Sequence, residues 1–483
     1  MNIKMMGRFI AQIIAIEAAF MVPALIISLG YGEWPGVQAF GITIGIMILL
    51  AAGMFLLCRK AGRLFGAKEG FVCVALSWIV MSLLGALPLV LCGQVPHYID
   101  ALFEIVSGFT TTGASVIADV EGLYRGILYW RSFTHWVGGM GVLVFLLAVL
   151  PTGNGAGFTM HLLRAESPGP DVGKLVPKMR QTALILYCIY IVLTIINFIF
   201  LLFGRMHWLH ALCTAFGTAG TGGFGTFNDS MGSVSPYIQN VTTVFMFLFG
   251  INFSCFYLLL LGKLRSVWRD EELRLYVGLA VACVIALVLS IRPLYGTLEE
   301  TIRHAAFQVS SIMTTTGFST TDFDLWPSFA KGILLMLMVV GACAGSTGGG
   351  LKCIRVLLLF KVLGRNIRQI LGPRKVLVVR SNGKVVDEKV LANTNAYFAA
   401  YMIIIVLSTL ILSLDGFSVE TNLSAALATF NNIGPGIGAV GPMCNFAAYS
   451  DLSKVTMCLA MLAGRLEIFP LLVLFSRSTW TQK

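Results

Sequence analysis

The stretch Ser107-Gly-Phe-Thr-Thr-Thr-Gly-Ala-Ser115 offers hydroxyls, small residues and backbone carbonyls, with no acid, base or metal-binding side chain. Related stretches return at Gly220-Thr-Gly-Gly-Phe224, Met313-Thr-Thr-Thr-Gly-Phe-Ser319 and Asn432-Ile-Gly-Pro-Gly436. Oxygens of this kind can replace the water shell of a bare K⁺ or Na⁺, because peptide carbonyls are neutral, fixed and numerous. Glycine admits backbone angles that turn successive carbonyls to one side, and threonine adds a hydroxyl at the inner mouth. Aligned on one glycine each, the loops centre on Gly113, Gly222, Gly317 and Gly434. The candidate cation ligands are then Thr111, Thr112 and Gly113; Gly220, Thr221 and Gly222; Thr315, Thr316 and Gly317; and Asn432, Ile433 and Gly434. Packing of small residues between helices would account for one such loop but not for four. The expectation is that the four loops meet on one axis and line a pore for a dehydrated cation.

Each loop must be positioned by the elements around it. A helical span needs roughly 20 apolar residues, and two come first, near Ile10–Leu29 and Ala39–Leu57. A unit of span, short re-entrant helix, loop and span then repeats. Its four copies run over Phe71–Leu91, Tyr98–Phe109 and Ile127–Leu150; Thr182–Phe203, Trp208–Phe216 and Ile238–Leu261; Tyr276–Ile291, Glu299–Ile312 and Ala330–Leu363; and Ala396–Leu414, Val419–Phe430 and Ser453–Phe475. The short helices cannot span, and such pieces are tolerated only where protein or a water cavity covers their backbone. The fold class expected is an all-α polytopic membrane protein, with four pseudo-symmetric helix–pore loop–helix repeats around a central pore after two extra transmembrane helices. The division is two N-terminal helices over 1–69 and repeats over 70–180, 181–274, 275–390 and 391–483.

Composition agrees with a membrane and argues against other classes. The chain of 483 residues is 57% hydrophobic and 12% charged, where soluble domains carry about a quarter charged residues. The N-terminus imitates a signal peptide, but its apolar run holds Glu17 and continues, so an uncleaved first span is expected. The 11 Cys form no C-x-x-C pair or Cys/His cluster and read as apolar fillers. A net charge of +11 invites a nucleic-acid reading. If the first span starts inside, however, every Lys and Arg but Arg125, Arg131, Arg205, Arg292, Arg303, Lys331, Lys454 and Arg465 falls on a cytoplasmic segment, which is the positive-inside bias. These segments include Arg59, Lys60, Arg63 and Lys68, and Pro151–Gln181 with Arg164, Lys174, Lys178 and Arg180. Both termini are then cytoplasmic. Acidic residues lean outward, at Glu33, Asp100, Glu104, Asp119, Glu121, Asp229, Glu299, Glu300, Asp322, Asp324, Asp415, Glu420 and Asp451. An acidic outer vestibule would concentrate cations; ordinary solvated loops would read the same way.

Two features lie on the inner side. Gly341-Ala-Cys-Ala-Gly-Ser-Thr-Gly-Gly-Gly-Leu-Lys352 should break its helix, and backbone freed at membrane depth must line a cavity. A phosphate-binding loop is excluded, since no G-K-[ST] follows and no strand precedes. Arg465 lies inside the fourth inner span, where a charge is costly unless paired or wetted. Glu467, two residues on, points elsewhere on a straight helix. Three weaker candidates are Glu17, expected to pair within the bundle, the His207/His210 pair, which lacks a third ligand, and His135, a helix-packing residue. On the inner side, Lys375–Asp387 alternates around Asn382-Gly383, a type I′ hairpin signal; so small a hairpin must rest on a partner.

The motifs Ser107–Gly113, Asn431–Gly436, Gly341–Lys352 and the Arg465 segment resemble the superfamily of K⁺ transporters of Trk, Ktr and HKT type, over essentially the whole chain. The resemblance implies K⁺ preference, since a glycine centres the first loop where serine goes with Na⁺. It implies that Gly345, Ser346, Thr347, Gly348, Gly349 and Gly350 form an intramembrane gate below the filter, with Arg465 beside it as a barrier to cations. It also implies a homodimer in the bacterial inner membrane, opened by a cytosolic nucleotide-binding regulatory ring (TrkA-like) that contacts the basic segments and hairpin. The transported potassium ion is the one ligand implied. Only Gly436 reproduces the second glycine of a potassium-channel filter, so discrimination among K⁺, Rb⁺ and Na⁺ is expected to be weaker. The alternative is a Na⁺- or H⁺-coupled potassium symporter. A membrane enzyme has no His/Asp/Glu constellation to support it.

Overall fold

The computed structural model describes residues 3–59, 67–141 and 179–480. Lys60, Arg63, Arg164, Lys174 and Lys178, and the part of the first inner span beyond 141, lie outside the described residues. The chain opens with α1 (Ile3–Gly30) packed along α2 (Trp34–Leu57). Then follow α3 (Ala67–Gly85) with its short continuation α4 (Leu87–Leu91), α5 (Tyr98–Phe109) and α6 (Arg125–Gly139). The next group is α7 (Met179–Phe203), α8 (Trp208–Gly220), α9 (Pro236–Phe249), α10 (Phe253–Leu260) and α11 (Leu264–Trp268). After it come α12 (Glu271–Ile291), α13 (Leu298–Met313), α14 (Ser328–Val340) and α15 (Cys353–Leu371). The last group is α16 (Glu388–Leu412), α17 (Val419–Phe430), α18 (Asp451–Arg465), α19 (Phe469–Phe475) and α20 (Arg477–Trp480). Six helices among the described residues are long and apolar enough to cross a membrane, or seven if the bent pair α9–α10 is one span. The protein is thus an all-α polytopic membrane protein, as its sequence predicts.

The helices α5, α8, α13 and α17 have only 12, 13, 16 and 12 residues. At this depth each backbone end must be satisfied by protein. Thr297 caps α13 by accepting from Glu300 N–H, and Ser418 caps α17 by accepting from Thr421 N–H. All four short helices are buried along most of their length, and each delivers its C-terminal end to a loop at the centre of the molecule.

The inner helices are more broken than the sequence predicts. Ile238–Leu261 reads as one span, yet α9 and α10 meet at 90°. Two residues explain the bend. A Cβ on Gly250 would overlap the Tyr276 hydroxyl and stand 2.7 Å from the Thr314 methyl, and Asn252 Oδ1 accepts from Ser254 N–H at 2.9 Å to start a new helix. The fourth inner span also breaks, after α18, where Glu467 and Ile468 take φ of +56° and +66°. The third breaks at 341–352, as expected.

The hairpin forms at Arg380–Ser381 (β1) and Lys384–Val385 (β2), with Asn382 and Gly383 both at positive φ, as a type I′ turn requires. It rests on this chain's own helices. Asn382 accepts from Glu271 N–H and donates to Asp270, each at 2.9 Å, so its tip caps α12. Lys361 on α15 donates to Arg380 O at 2.7 Å, and Val379 is buried against Leu358, Val362 and Leu391.

Candidate functional site

The four loops share one backbone pattern. The residues taking left-handed φ are Thr111 (+56°), Thr221 (+53°), Thr315 (+59°) and Asn432 (+57°), each followed two positions later by a glycine at positive φ: Gly113, Gly223, Gly317 and Gly434. Each left-handed residue donates its N–H to the carbonyl three residues back, and the next residue donates to the carbonyl five back. The alignment on Gly222 is therefore one residue out: Gly223 matches the other three central glycines, and Thr221 matches Thr111 and Thr315. The run of two glycines hid the register. Gly222 is small for another reason, because a Cβ there would strike the His135 ring. Gly220 is the last residue of α8, packed on the His135 carbonyl, and lies outside the pattern.

The loops close into a ring. A Cβ on Gly113 would overlap the carbonyl oxygen of Gly222, one on Gly223 that of Thr316, and one on Gly317 that of Ile433; on Gly434 it would stand 2.8 Å from that of Thr112. Each central glycine thus backs onto the carbonyl of the following loop, and the fourth returns to the first. A second circuit of polar ties runs outside it. Asn228 accepts from Val120 N–H at 2.8 Å, Met231 N–H donates to Ser319 O at 2.9 Å, Asp324 accepts from Gly438 N–H at 3.2 Å, and Phe446 N–H donates to Ser115 O at 2.9 Å. Threonine hydroxyls brace the first and third loops internally, Thr110 to Thr112 at 2.8 Å and Thr314 to Thr316 at 2.7 Å.

His135 does more than pack. Its Nδ1 lies 2.7 Å from Gly108 O and its Nε2 accepts from Phe224 N–H at 3.2 Å. A neutral ring with the proton on Nδ1 satisfies both, and joins the end of α5 to the second loop. His207 and His210 stay at the outer end of α8, and no group of three or more His, Cys, Asp or Glu among the described residues could hold a metal. Glu17 has no hydrogen-bond partner among the described residues, contrary to the pairing expected of it; its carboxyl faces Gly85, which carries no polar side chain.

Outside the ring, two of the expected acidic residues line a neighbouring cavity rather than the mouth itself. A cavity of about 120 Å³ opens outside the ring, lined by Gly113, Gly223, Gly317 and Gly434 and by no carboxylate among the described residues, while a neighbouring cavity of about 380 Å³ that shares Ile117 and Ala118 with it is lined by Asp100 and Asp119. The acids are engaged nearby. Glu104 pairs with Arg131 at 2.5 Å, Asp100 with Lys454 at 2.6 Å and Asp324 with Lys331 at 3.6 Å. Glu33 accepts from Arg125 N–H at 2.7 Å. Asp119 and Glu121 hold Asn228; the Asn228 amide and Gly122 N–H keep the Asp119 carboxyl below its usual range.

The inner face is floored by the glycine-rich segment. Gly349 N–H donates to Thr315 Oγ1 at 2.6 Å, so the segment hangs from the third loop. A Cβ on Gly348 would stand 2.7 Å from Thr314 O, and one on Gly349 would overlap Asn431 O. Close packing under two loops explains these glycines. Phe253 N–H donates to Gly345 O at 3.0 Å and Cys343 N–H to Gly250 O at 3.1 Å, which ties the segment to the α9–α10 bend. Ser346 turns its hydroxyl back to Cys343 O at 2.6 Å, and Gly350 takes φ of +78°. Glu272 Oε1 accepts from Ala344 N–H at 2.6 Å and from Ile354 N–H at 3.1 Å, gripping both ends of the segment. Sequence reasoning missed this role; its one mark was a carboxylate in the first turn of an apolar helix. Arg465 donates to Thr347 O at 2.9 Å and to the carbonyls of Gly138 and Gly139 at the end of α6. A cation suits orphan carbonyls at a helix C-terminus. Glu467 points away, to Arg355.

Residues 36–481 match the family model of the TrkH cation transport proteins. The chain is 35% identical to the Trk system potassium uptake protein TrkH of Escherichia coli K12, over all of both chains. It is also 35% identical to the TrkH of Halomonas elongata over 99% of this chain and all of that one, and 33% identical to the TrkG of Escherichia coli K12 over 99% of each. The crystal structure of the potassium transporter TrkH from Vibrio parahaemolyticus superimposes with a TM-score of 0.90 at 31% identity, over all of both chains. These are transport proteins and not enzymes. The loop ring, the broken inner helices and the whole-chain match place this chain in the TrkH family of Trk potassium uptake proteins.

Proposed function

We propose that the protein takes up potassium across the bacterial inner membrane through a channel-like pore whose selectivity filter is the ring of four loops. The filter residues are Thr111, Thr112 and Gly113; Thr221, Gly222 and Gly223; Thr315, Thr316 and Gly317; and Asn432, Ile433 and Gly434. Their carbonyls would take the place of the ion's hydration water. The observation that carries this reading is the cyclic closure, in which each central glycine meets the next loop's carbonyl and the fourth meets the first. The names of the relatives support K⁺ as the ion.

Below the filter, Gly345–Gly350 is the gate and Arg465 its latch, a fixed positive charge that opposes cation passage while it holds the segment closed. A cytosolic nucleotide-binding ring of the TrkA type opens the gate by acting on the cytoplasmic ends of the inner helices and the hairpin. The termini face the cytoplasm, and two copies of the chain form a homodimer. The deciding experiment is radioactive rubidium uptake by liposomes holding the purified protein, with K⁺ and Na⁺ as competitors. Wild-type protein should favour K⁺, and Gly113→Ser or Gly434→Ser should reduce that preference. An unchanged preference in both variants overturns the filter reading.

A further inference from the structure

The first loop is held from behind by a device that has no counterpart at the matching positions of the other three. Glu104 on α5 and Arg131 on α6 are 0% and 1% exposed and meet at 2.5 Å. Arg131 Nε donates to Glu104 Oε1 at 2.7 Å. The carboxylate also accepts from Ser115 Oγ at 3.0 and 3.1 Å and from Val116 N–H at 3.0 Å, so both its oxygens act on residues just outside Gly113. The guanidinium lies 4.2 Å above the Phe224 ring of the second loop and borders the cavity outside the ring of loops. Its Nη1 has no hydrogen-bond partner among the described residues.

Burying such a pair gives little or no net stability, because desolvation offsets the attraction and an apolar pair of similar volume holds two helices as well. Nor does the loop backbone need it. Nine positions before the central glycine the other loops carry Thr214, Gln308 and Ala425, and eighteen positions after it Val241, Leu335 and Leu452. No ion pair forms at those places, yet all four loops share the same left-handed residue and glycine.

We propose that Glu104 and Arg131 are positioning residues that set ion specificity. The pair fixes the outer arm of the first loop, Gly113 to Val116, and with it the spacing of that loop's oxygens against the other three. Glu104 also cancels the Arg131 charge at the mouth, where a bare guanidinium would repel cations. The inference rests on the reading of the ring as a K⁺ filter. K⁺ and Na⁺ differ in radius by a fraction of an ångström, so small shifts in oxygen spacing change their ranking.

The test measures K⁺ and Na⁺ flux into liposomes holding the full purified chain. Glu104→Leu/Arg131→Met removes both charges and strands neither, while Ser115→Ala keeps the pair and removes its hydroxyl link. Both should elute as the wild type does. The K⁺/Na⁺ flux ratio should fall about tenfold in the double variant, as loss of hydrogen bonds to a charged group implies, and by less in Ser115→Ala. Glu104→Gln should lower K⁺ influx itself. A purely structural pair, replaced by apolar residues of similar volume, would leave the ratio alone. A wild-type ratio in the double variant overturns the inference; if that variant does not fold, a wild-type ratio in Ser115→Ala does. A wild type without K⁺ preference sinks the filter reading and this one together, whereas a K⁺-selective wild type with unaltered variants sinks this one alone.

Discussion

Asn432 Nδ2 donates to Thr112 Oγ1 at 3.0 Å, which joins the last of the four loops to the first across most of the sequence. The same amide donates to Met461 O at 3.0 Å on α18. Asparagine also tolerates the left-handed φ of +57° that this position takes. Asn432→Ala removes both bonds and adds backbone strain, at a cost of about 1–3 kcal/mol. The expected result is a lower melting temperature together with reduced K⁺/Na⁺ discrimination in liposomes. Unchanged discrimination would show that the fourth-to-first corner does not shape the pathway.

Gly222 and Gly223 are adjacent and small for different reasons. Gly223→Ala would overlap the Thr316 carbonyl at φ of +79°, a strained conformation for any side chain. For Gly222→Ala the nearest atoms met all belong to the His135 ring. Each single variant should abolish rubidium uptake. His135→Ala should restore part of it to Gly222→Ala and none to Gly223→Ala. Equal rescue of the two would refute the register.

Arg465→Ala frees the carbonyls of Thr347, Gly138 and Gly139 from the latch. Basal rubidium flux without any partner should rise several-fold. Arg465→Lys should give an intermediate value, because an ammonium is a point donor that cannot span three carbonyls as a planar fork does. Flux at the wild-type level in Arg465→Ala would remove this residue from the gate.

Asp119 gives a prediction about pH. Its folded-state pKa is lowered, by the Asn228 amide first and Gly122 N–H second. A lowered carboxylate keeps its bonds above the ordinary range and loses them only as pH falls through the lower value. Rubidium uptake should therefore stay level as the outer pH drops from neutral to about 5, since an unperturbed Asp titrates near 4. Asn228→Ala should move the acid-side decline upward. A decline at the same pH in both proteins would rule out this tie as its source.

Removing the hairpin tip from the N-terminus of α12 tests its docking. Asn382→Ala loses two hydrogen bonds and takes on strain at φ of +50°. Amide exchange across 375–389 should quicken while the basal flux stays unchanged. Unaltered exchange would mean that the buried Val379 and the Lys361 bond to Arg380 O suffice to secure the hairpin.

The sequence carried the architecture because its signals were local. Apolar runs, short amphipathic helices and Asn382-Gly383 each state their conformation within a few residues. Three losses have physical causes. The doubled glycine at 222–223 drew the alignment to Gly222, and only the backbone angles of Thr221 and Gly223 and their neighbours in space reveal the register. The 90° bend at Gly250 depends on Tyr276 and Thr314, residues distant in sequence. The burial of Glu104 and Arg131 was not legible, because charge is visible in a sequence and burial is not; the same blindness gave Glu17 a partner it lacks among the described residues and hid Glu272.

Every central glycine leans on the oxygen of the loop that follows, so the four corners share one perimeter. Bulk added at any corner pushes that neighbour, which in turn bears on its own. The width of the opening is therefore gauged by the whole circuit, and no quarter of the protein could be resized without refitting the other three.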